Sequence, residues 1–200
     1  MERQKALFSR QGFARRLEMG AQYLAQYYRQ KYGEWGKKVR LELHIRNTEM
    51  DGVPITGTLD KLEALDARSW RLVDYKTGSL DESKLRKPGG KLPHGGSYWR
   101  QLVFYKLLYE SFDRSGKTIA SACIDYLEPD RQGRFLSREV VFEPGDLHIV
   151  RDLVKETYRK IMDQEFYEGC GKPSCPWCNF VRLNQPSDSY RDEGVEEMDD

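Results

Sequence analysis

The chain has 200 residues, with 33 basic side chains against 32 acidic ones. That length allows one domain with a real core, and the near-zero net charge leaves no global field to draw the chain to nucleic acid or a membrane. At 38% hydrophobic and 32% charged it has no apolar run near the roughly 18 residues of a membrane span. Met1 to Arg16 is basic but lacks the continuous apolar segment of a signal peptide. Four cysteines, three of them crowded near the end, do not resemble a secreted disulfide framework, so a reducing, cytoplasmic compartment is expected.

Apolar residues recur at three- and four-residue intervals through Leu7, Phe8, Phe13, Leu17, Tyr23, Leu24, Tyr27 and Tyr28, which predicts a helix ending near Gly33. Val39 to Arg46 then alternates, with Val39, Leu41, Leu43 and Ile45 on one face and Arg40, Glu42, His44 and Arg46 on the other. Met50-Asp51-Gly52 supplies a turn into a second strand, Val53 to Glu63, and Asp66-Ala67-Arg68 leads to a third, Trp70 to Lys76. Gly78 to Ser97 reads as a long, basic, flexible loop rich in glycine and proline. A helix follows from Tyr98 to Phe112, with Leu102, Tyr105, Leu108, Tyr109 and Phe112 as its apolar face. Strands at Thr118–Leu127 and Arg134–Phe142 flank a turn at Pro129-Asp130, and Pro144-Gly145-Asp146 opens a helix to about Phe166. A Cys-rich loop and, from Gln185, an acidic tail too polar to pack complete the chain. The expected fold is an α/β sandwich around a mixed sheet.

Asp60 closes the segment Gly57-Thr58-Leu59-Asp60, and Asp74 opens Asp74-Tyr75-Lys76-Thr77-Gly78. Side chains two apart in a strand share a face, so Asp74 and Lys76 look into one space, and Asp60 on a paired strand can join them. Taken singly, such residues are most often surface ion pairs, here Asp60 with Lys61 or Arg71. The apolar flanks of Asp74 and a glycine at position 57, where a strand gains nothing from one, favour a site instead. Two carboxylates supply hard oxygen ligands for Mg²⁺ or Mn²⁺, and the Tyr75 carbonyl could add a third. Lys76 would hold an attacking water or offset charge developing on phosphorus, and Glu42 is a plausible fourth member. Gln101 and Tyr105, four apart on one helical face, can orient a group at the site.

Gly-x-x-Asp, Asp-Tyr-Lys-Thr-Gly and Gln-x-x-x-Tyr, in that order, resemble the RecB-type branch of the PD-(D/E)XK nuclease superfamily, with its restriction-endonuclease-like fold. In particular they resemble the nuclease module at the C-terminus of UvrD/Rep-like helicases such as AddA and RecB. The resemblance spans about Leu17 to Asn184. It implies metal-dependent DNA cleavage, through an exonuclease serving DNA repair and recombination beside helicase domains. Asp60 and Asp74 would be the metal ligands, Lys76 the catalytic lysine, Gln101 and Tyr105 the supporting motif, and Glu42 the acidic residue of the first strand. Many relatives carry a metal-binding histidine on an upstream helix. None precedes Val39 here, since the histidines are His44, His94 and His148. The expectation is therefore a domain over 1–184, a C-terminal fragment of a longer helicase-nuclease, with 185–200 as a disordered tail. DNA phosphates are expected on Lys84, Arg86, Lys87, Lys91 and Arg100.

Cys170, Cys175 and Cys178 have a metal-site spacing, and proline and glycine bend the loop around them. They resemble the three downstream cysteines that hold an iron–sulfur cluster in AddB and the CRISPR-associated exonucleases. The trio could hold such a cluster, or zinc, or remain three reduced thiols; Cys123, among Ala120, Ala122 and Ile124, reads as core. Two other functions stay open: a DNA-binding module that has lost catalysis, and a free-standing single-strand exonuclease of the CRISPR-associated type.

Overall fold

A computed structural model describes residues 9–36, 38–90, 92–165, 170 and 172–183. Leu7, Phe8, Lys91 and the acidic tail lie outside the described residues. The chain divides into two compact units, Met1–Lys155 and Glu156–Asp200. The first contains a five-stranded sheet in the order β1-β2-β3-β4-β5, formed by Val39–Met50, Val53–Ala64, Ser69–Lys76, Thr118–Tyr126 and Ser137–Val141. Only β3 and β4 run parallel, joined through helix α2, Ser97–Phe112. The α/β restriction-endonuclease-like architecture expected from the sequence is present.

Helix α1, Arg10–Lys31, is started by Ser9, whose hydroxyl accepts the Gly12 N–H at 3.1 Å. Of its expected apolar residues only Tyr27 is buried, whereas Leu17, Leu24 and Tyr28 are exposed. The β1–β2 hairpin turns on Asp51 and Gly52, both left-handed (φ 52° and 79°), which suits the twist of the strands it joins. The expected alternation holds from Leu43 to Arg46 only: Val39 and Leu41 are exposed and Ile45 is fully buried. Helix α2 packs against this edge strand, whose buried residues, Ile45, Thr48 and Met50, lie in its second half. The Asp66 carboxylate caps the next turn by accepting the Arg68 and Ser69 N–H groups at 2.7 and 2.8 Å.

α2 buries Trp99, Leu102, Val103, Leu107, Leu108 and Tyr109 in the core with Leu62, Leu72 and Ile124 of the sheet. Phe112 stays exposed at its end. Gly57 is needed here, because a Cβ on it would stand 2.8 Å from Leu108 Cδ2.

The described residues between Gly78 and Ser97 make defined contacts. Asp81 caps a 3₁₀ turn at Glu82–Leu85, Gly89 and Leu92 form a bridge, and the Gly96 N–H bonds to the Arg86 carbonyl at 2.8 Å. The many glycines and prolines suggest mobility, but Gly95 and Gly96 permit tight backbone contacts instead. Helix α3, Pro144–Met162, ends before Phe166. In the second unit, part of the expected Cys-rich loop is helix α4, Pro176–Leu183.

Candidate active site

The β2–β3 ladder runs from Ala64–Trp70 to Lys61–Val73, so Asp60 and Asp74 are the next residues on the two strands. There the backbone pairing stops. In its place the Asp60 carboxylate accepts the Tyr75 N–H at 2.9 Å. Asp74 is 1% exposed, on the α2 side of β3. Its carboxyl is held above the ordinary aspartate range, first by burial and also by the negative field of Asp60, while Lys76 pulls the other way.

Lys76 Nζ lies 2.7 Å from Asp74 Oδ2 and donates to Gln101 Oε1 at 2.8 Å. The Gln101 amide nitrogen donates in turn to Asp74 Oδ1 at 3.2 Å and to the Tyr105 hydroxyl at 2.9 Å. A closed polar circuit thus links Asp74, Lys76 and Gln101, with Tyr105 attached. The ammonium meets Asp74 Oδ2 outside hydrogen-bonding angles, so this buried oxygen has an ionic neighbour but no hydrogen bond.

Neither Lys61 nor Arg71 pairs with Asp60. Both turn to Glu63, Lys61 at 2.6 Å and Arg71 at 3.8 Å, and Arg71 also reaches Glu139 at 3.3 Å. Glu42 sits between the pairs Leu41–Lys61 and Leu43–Leu59, across from Asp60, and is exposed. Its left-handed backbone (φ 48°) breaks the alternation from which an outward-facing acid was expected.

A divalent cation fits this donor set. Asp60 and Asp74 bring hard oxygens to adjacent positions, and Asp74 is a buried carboxylate with an unsatisfied oxygen and a raised pKa. A cation placed there would relieve both.

Of the expected DNA contacts, Lys84 stands beside Tyr98, with Nζ 3.4 Å from the hydroxyl. Arg86 is exposed. Lys87 is engaged by Glu143 at 2.5 Å and Asp146 at 3.5 Å, and its ammonium is held charged to a higher pH by them. Arg100 donates to the carbonyls of His94 and Gly95. Lys91 lies outside the described residues. Tyr98 was not singled out from the sequence, although its place three residues before Gln101 on one helical face could have found it.

In the second unit the sulfurs of Cys170, Cys175 and Cys178 all lie within 4.8 Å of one another, with Cys170 and Cys178 Sγ 3.3 Å apart. Hydrogen bonds from the Cys178 backbone and from both other thiols pull the Cys175 thiol down to about 7. Cys123 is buried in β4, and burial pushes its thiol up to about 12.

The family model of the PD-(D/E)XK nuclease superfamily matches residues 2–183. The chain belongs to this superfamily. Its members are metal-dependent nucleases, which makes DNA the substrate class and a divalent cation the expected cofactor. A solved structure from Eubacterium rectale, "Putative exonuclease", is similar at TM-score 0.56 and 14% identity over 93% of this chain and 67% of that one. The structure of SSO0001 matches at TM-score 0.43 and 20% identity, over 83% of this chain and 67% of its own. The likeness to the Eubacterium rectale structure speaks to fold alone. No curated protein matches the chain. No helix among the described residues is long and apolar enough to cross a membrane.

Proposed function

We propose that this chain is a RecB-like, Mg²⁺- or Mn²⁺-dependent deoxyribonuclease that degrades DNA from an end. We read residues 1–184 as the nuclease module of a longer helicase-nuclease working in cytoplasmic DNA repair and recombination. The observation that carries the catalytic part is the buried circuit of Asp74, Lys76 and Gln101, with Asp60 on the adjacent strand. An inactive binding module would have no use for a buried carboxylate with a raised pKa and an unsatisfied oxygen.

Asp60, Asp74 and the Tyr75 carbonyl would hold the cation, with Glu42 the outermost acid. Once bound, the cation would neutralise phosphate charge and lower the pKa of a water. Lys76 places its ammonium where the attacked phosphate gains negative charge, and Asp74 and Gln101 keep that ammonium from wandering. Gln101 is itself oriented by Tyr105, so the pair sets geometry rather than exchanging protons. Lys84, Arg86 and Arg100 would meet DNA phosphates near the site, whereas Lys87 is held by Glu143 and Asp146.

The clustered thiols favour a second metal centre, either zinc or an iron–sulfur cluster, as in the free-standing CRISPR-associated type. Linear single- and double-stranded DNA labelled at either end, incubated with Mg²⁺ or Mn²⁺, tests the reading. Stepwise release of nucleotides supports it, and intact substrate under every condition refutes it. An unchanged sulfur-to-metal charge-transfer spectrum when Zn²⁺, Co²⁺ or iron and sulfide are supplied would remove the second centre.

A further inference from the structure

Two ammonium groups share one aromatic ring beside this site. Lys76 Nζ lies 5.0 Å from the centroid of Tyr98, and Lys84 Nζ lies 4.9 Å from the same centroid. The two cations are therefore no more than about 10 Å apart, whichever side of the ring each occupies. A ring face attracts cations, and the Tyr98 hydroxyl gives Lys84 a second contact at 3.4 Å.

We propose that Lys84 binds a substrate phosphate within about three nucleotides of the scissile one, and that Tyr98 is the positioning residue that registers it to Lys76. The proposal rests on the nuclease reading above. It adds the part of the substrate that fixes where the strand lies.

The placement of Lys84 is built into the fold. Its 3₁₀ turn is capped by Asp81, whose carboxylate accepts the Ser83 N–H at 3.0 Å. Glu82 anchors the turn outward to Arg138 at 2.7 Å. Gly96, at the N-terminus of α2, lies so close that a Cβ on it would overlap the Lys84 carbonyl, and its N–H bonds to Arg86. Gly95 is left-handed (φ 67°), with the Arg86 carbonyl 3.1 Å from where its Cβ would be. The glycine pair thus lets the turn dock on the helix start one residue before Tyr98.

The two lysines differ in what neutralises them. Lys76 has Asp74 at 2.7 Å, whereas the acid near Lys84 is Asp81 at 3.9 Å, already committed to its cap. The Lys84 side chain is 43% exposed, so a phosphate can reach it. The axial rise of a duplex strand is about 3.4 Å per nucleotide, so a gap of up to about 10 Å spans at most about three nucleotides along that axis and fewer where the backbone is extended.

The test measures binding of a fluorescent single-stranded oligonucleotide to the whole chain in EDTA, where nothing is cut, while one neutral methylphosphonate is walked along the strand. Lys84→Ala is expected to weaken binding about tenfold and to lower the log–log salt slope by about 0.7. One methylphosphonate position should weaken wild-type binding by the same factor and leave Lys84→Ala unaffected. Tyr98→Leu should reproduce the Lys84→Ala loss without adding to it, whereas Tyr98→Phe, which keeps the ring, should retain most of the binding. A merely structural Tyr98 would instead add its loss to that of Lys84→Ala. Equal sensitivity of wild type and Lys84→Ala at every position, additive losses in the double variant, or no strand binding at all would overturn the proposal. Absence of cleavage with Mg²⁺ or Mn²⁺ would refute the nuclease reading, and the binding cycle would still decide this one.

Discussion

Strand β3 carries charge on both of its faces, and the two faces handle it differently. Away from α2, Tyr75 meets Lys61, whose ammonium is 2.6 Å from Glu63, while Arg71 reaches Glu63 and Glu139. Nearby, Asp125 accepts the Tyr27 hydroxyl at 2.7 Å and the Ser137 hydroxyl at 2.5 Å. The charges there meet opposite charges or donors, although Arg71 Nε, 3.3 Å from Glu139, also makes no hydrogen bond. On the α2 side, Asp74 has Lys76, yet its carboxyl still sits above the normal range and keeps one oxygen without a hydrogen bond. Full compensation is what a fold needs, whereas two adjacent carboxylates answered by a single ammonium leave room for a cation. The contrast separates structure from function on one strand, between residues that are chain neighbours.

The largest expected effect is on catalysis at the α2 side. Asp74→Asn and Lys76→Ala should each lower the DNA cleavage rate by about 10³-fold, because one loses a cation ligand and the other the charge beside the attacked phosphate. Stability should move the opposite way for Asp74→Asn. A carboxyl whose folded pKa is raised costs stability once pH rises above the unfolded value near 3.9. Removing its charge should therefore leave the melting temperature in EDTA at or above wild type near pH 7.5. A clear drop would mean that Asp74 is structural, like the charges on the opposite face.

Glu63→Gln sharpens the comparison from the other side. It leaves the buried Lys61 without its acid, while the part-exposed Arg71 keeps Glu139, so urea denaturation should show a loss of about 3 kcal/mol. Cleavage per folded molecule should be nearly unchanged.

Gly57→Ala should cost about 1–2 kcal/mol, since the new methyl must push Leu108 aside. The smallest effect belongs to Lys87→Ala. With Glu143 and Asp146 already engaging that ammonium, the salt dependence of DNA binding should not shift, in contrast to Lys84→Ala.

Much of this was legible in the sequence, for physical reasons that can be named. Strand period placed Asp74 and Lys76 together, whereas the glycine at 57, read as a sign of the site, is explained by the close approach of Leu108. The helical spacing of Gln101 and Tyr105 found their shared contact. Other features left no such trace. The left-handed backbone at Glu42 has no residue-type signal, since nothing in a run of alternating residues announces a break. Gly95 and Gly96, which suggested a mobile loop, serve instead as docking points, which only tertiary contact reveals. Leu41 follows a core pattern but lies on an edge strand that α2 does not cover there. The short helix α4 was hidden by prolines and cysteines that read as a loop, although Pro176 occupies the first helical position, where proline is well tolerated.

The most direct test of the central claim is a calorimetric titration of the metal-free chain with Mn²⁺, repeated with Asp60→Asn and Asp74→Asn. Oxygen donors suit Mn²⁺ better than the clustered thiols do, so the titration reports on the carboxylate site. The account predicts one site in the wild type. Its affinity should rise with pH as the raised Asp74 carboxyl loses its proton, and both variants should abolish it. Binding that persists undiminished in either variant, or fails to strengthen as pH rises through that titration, would contradict it.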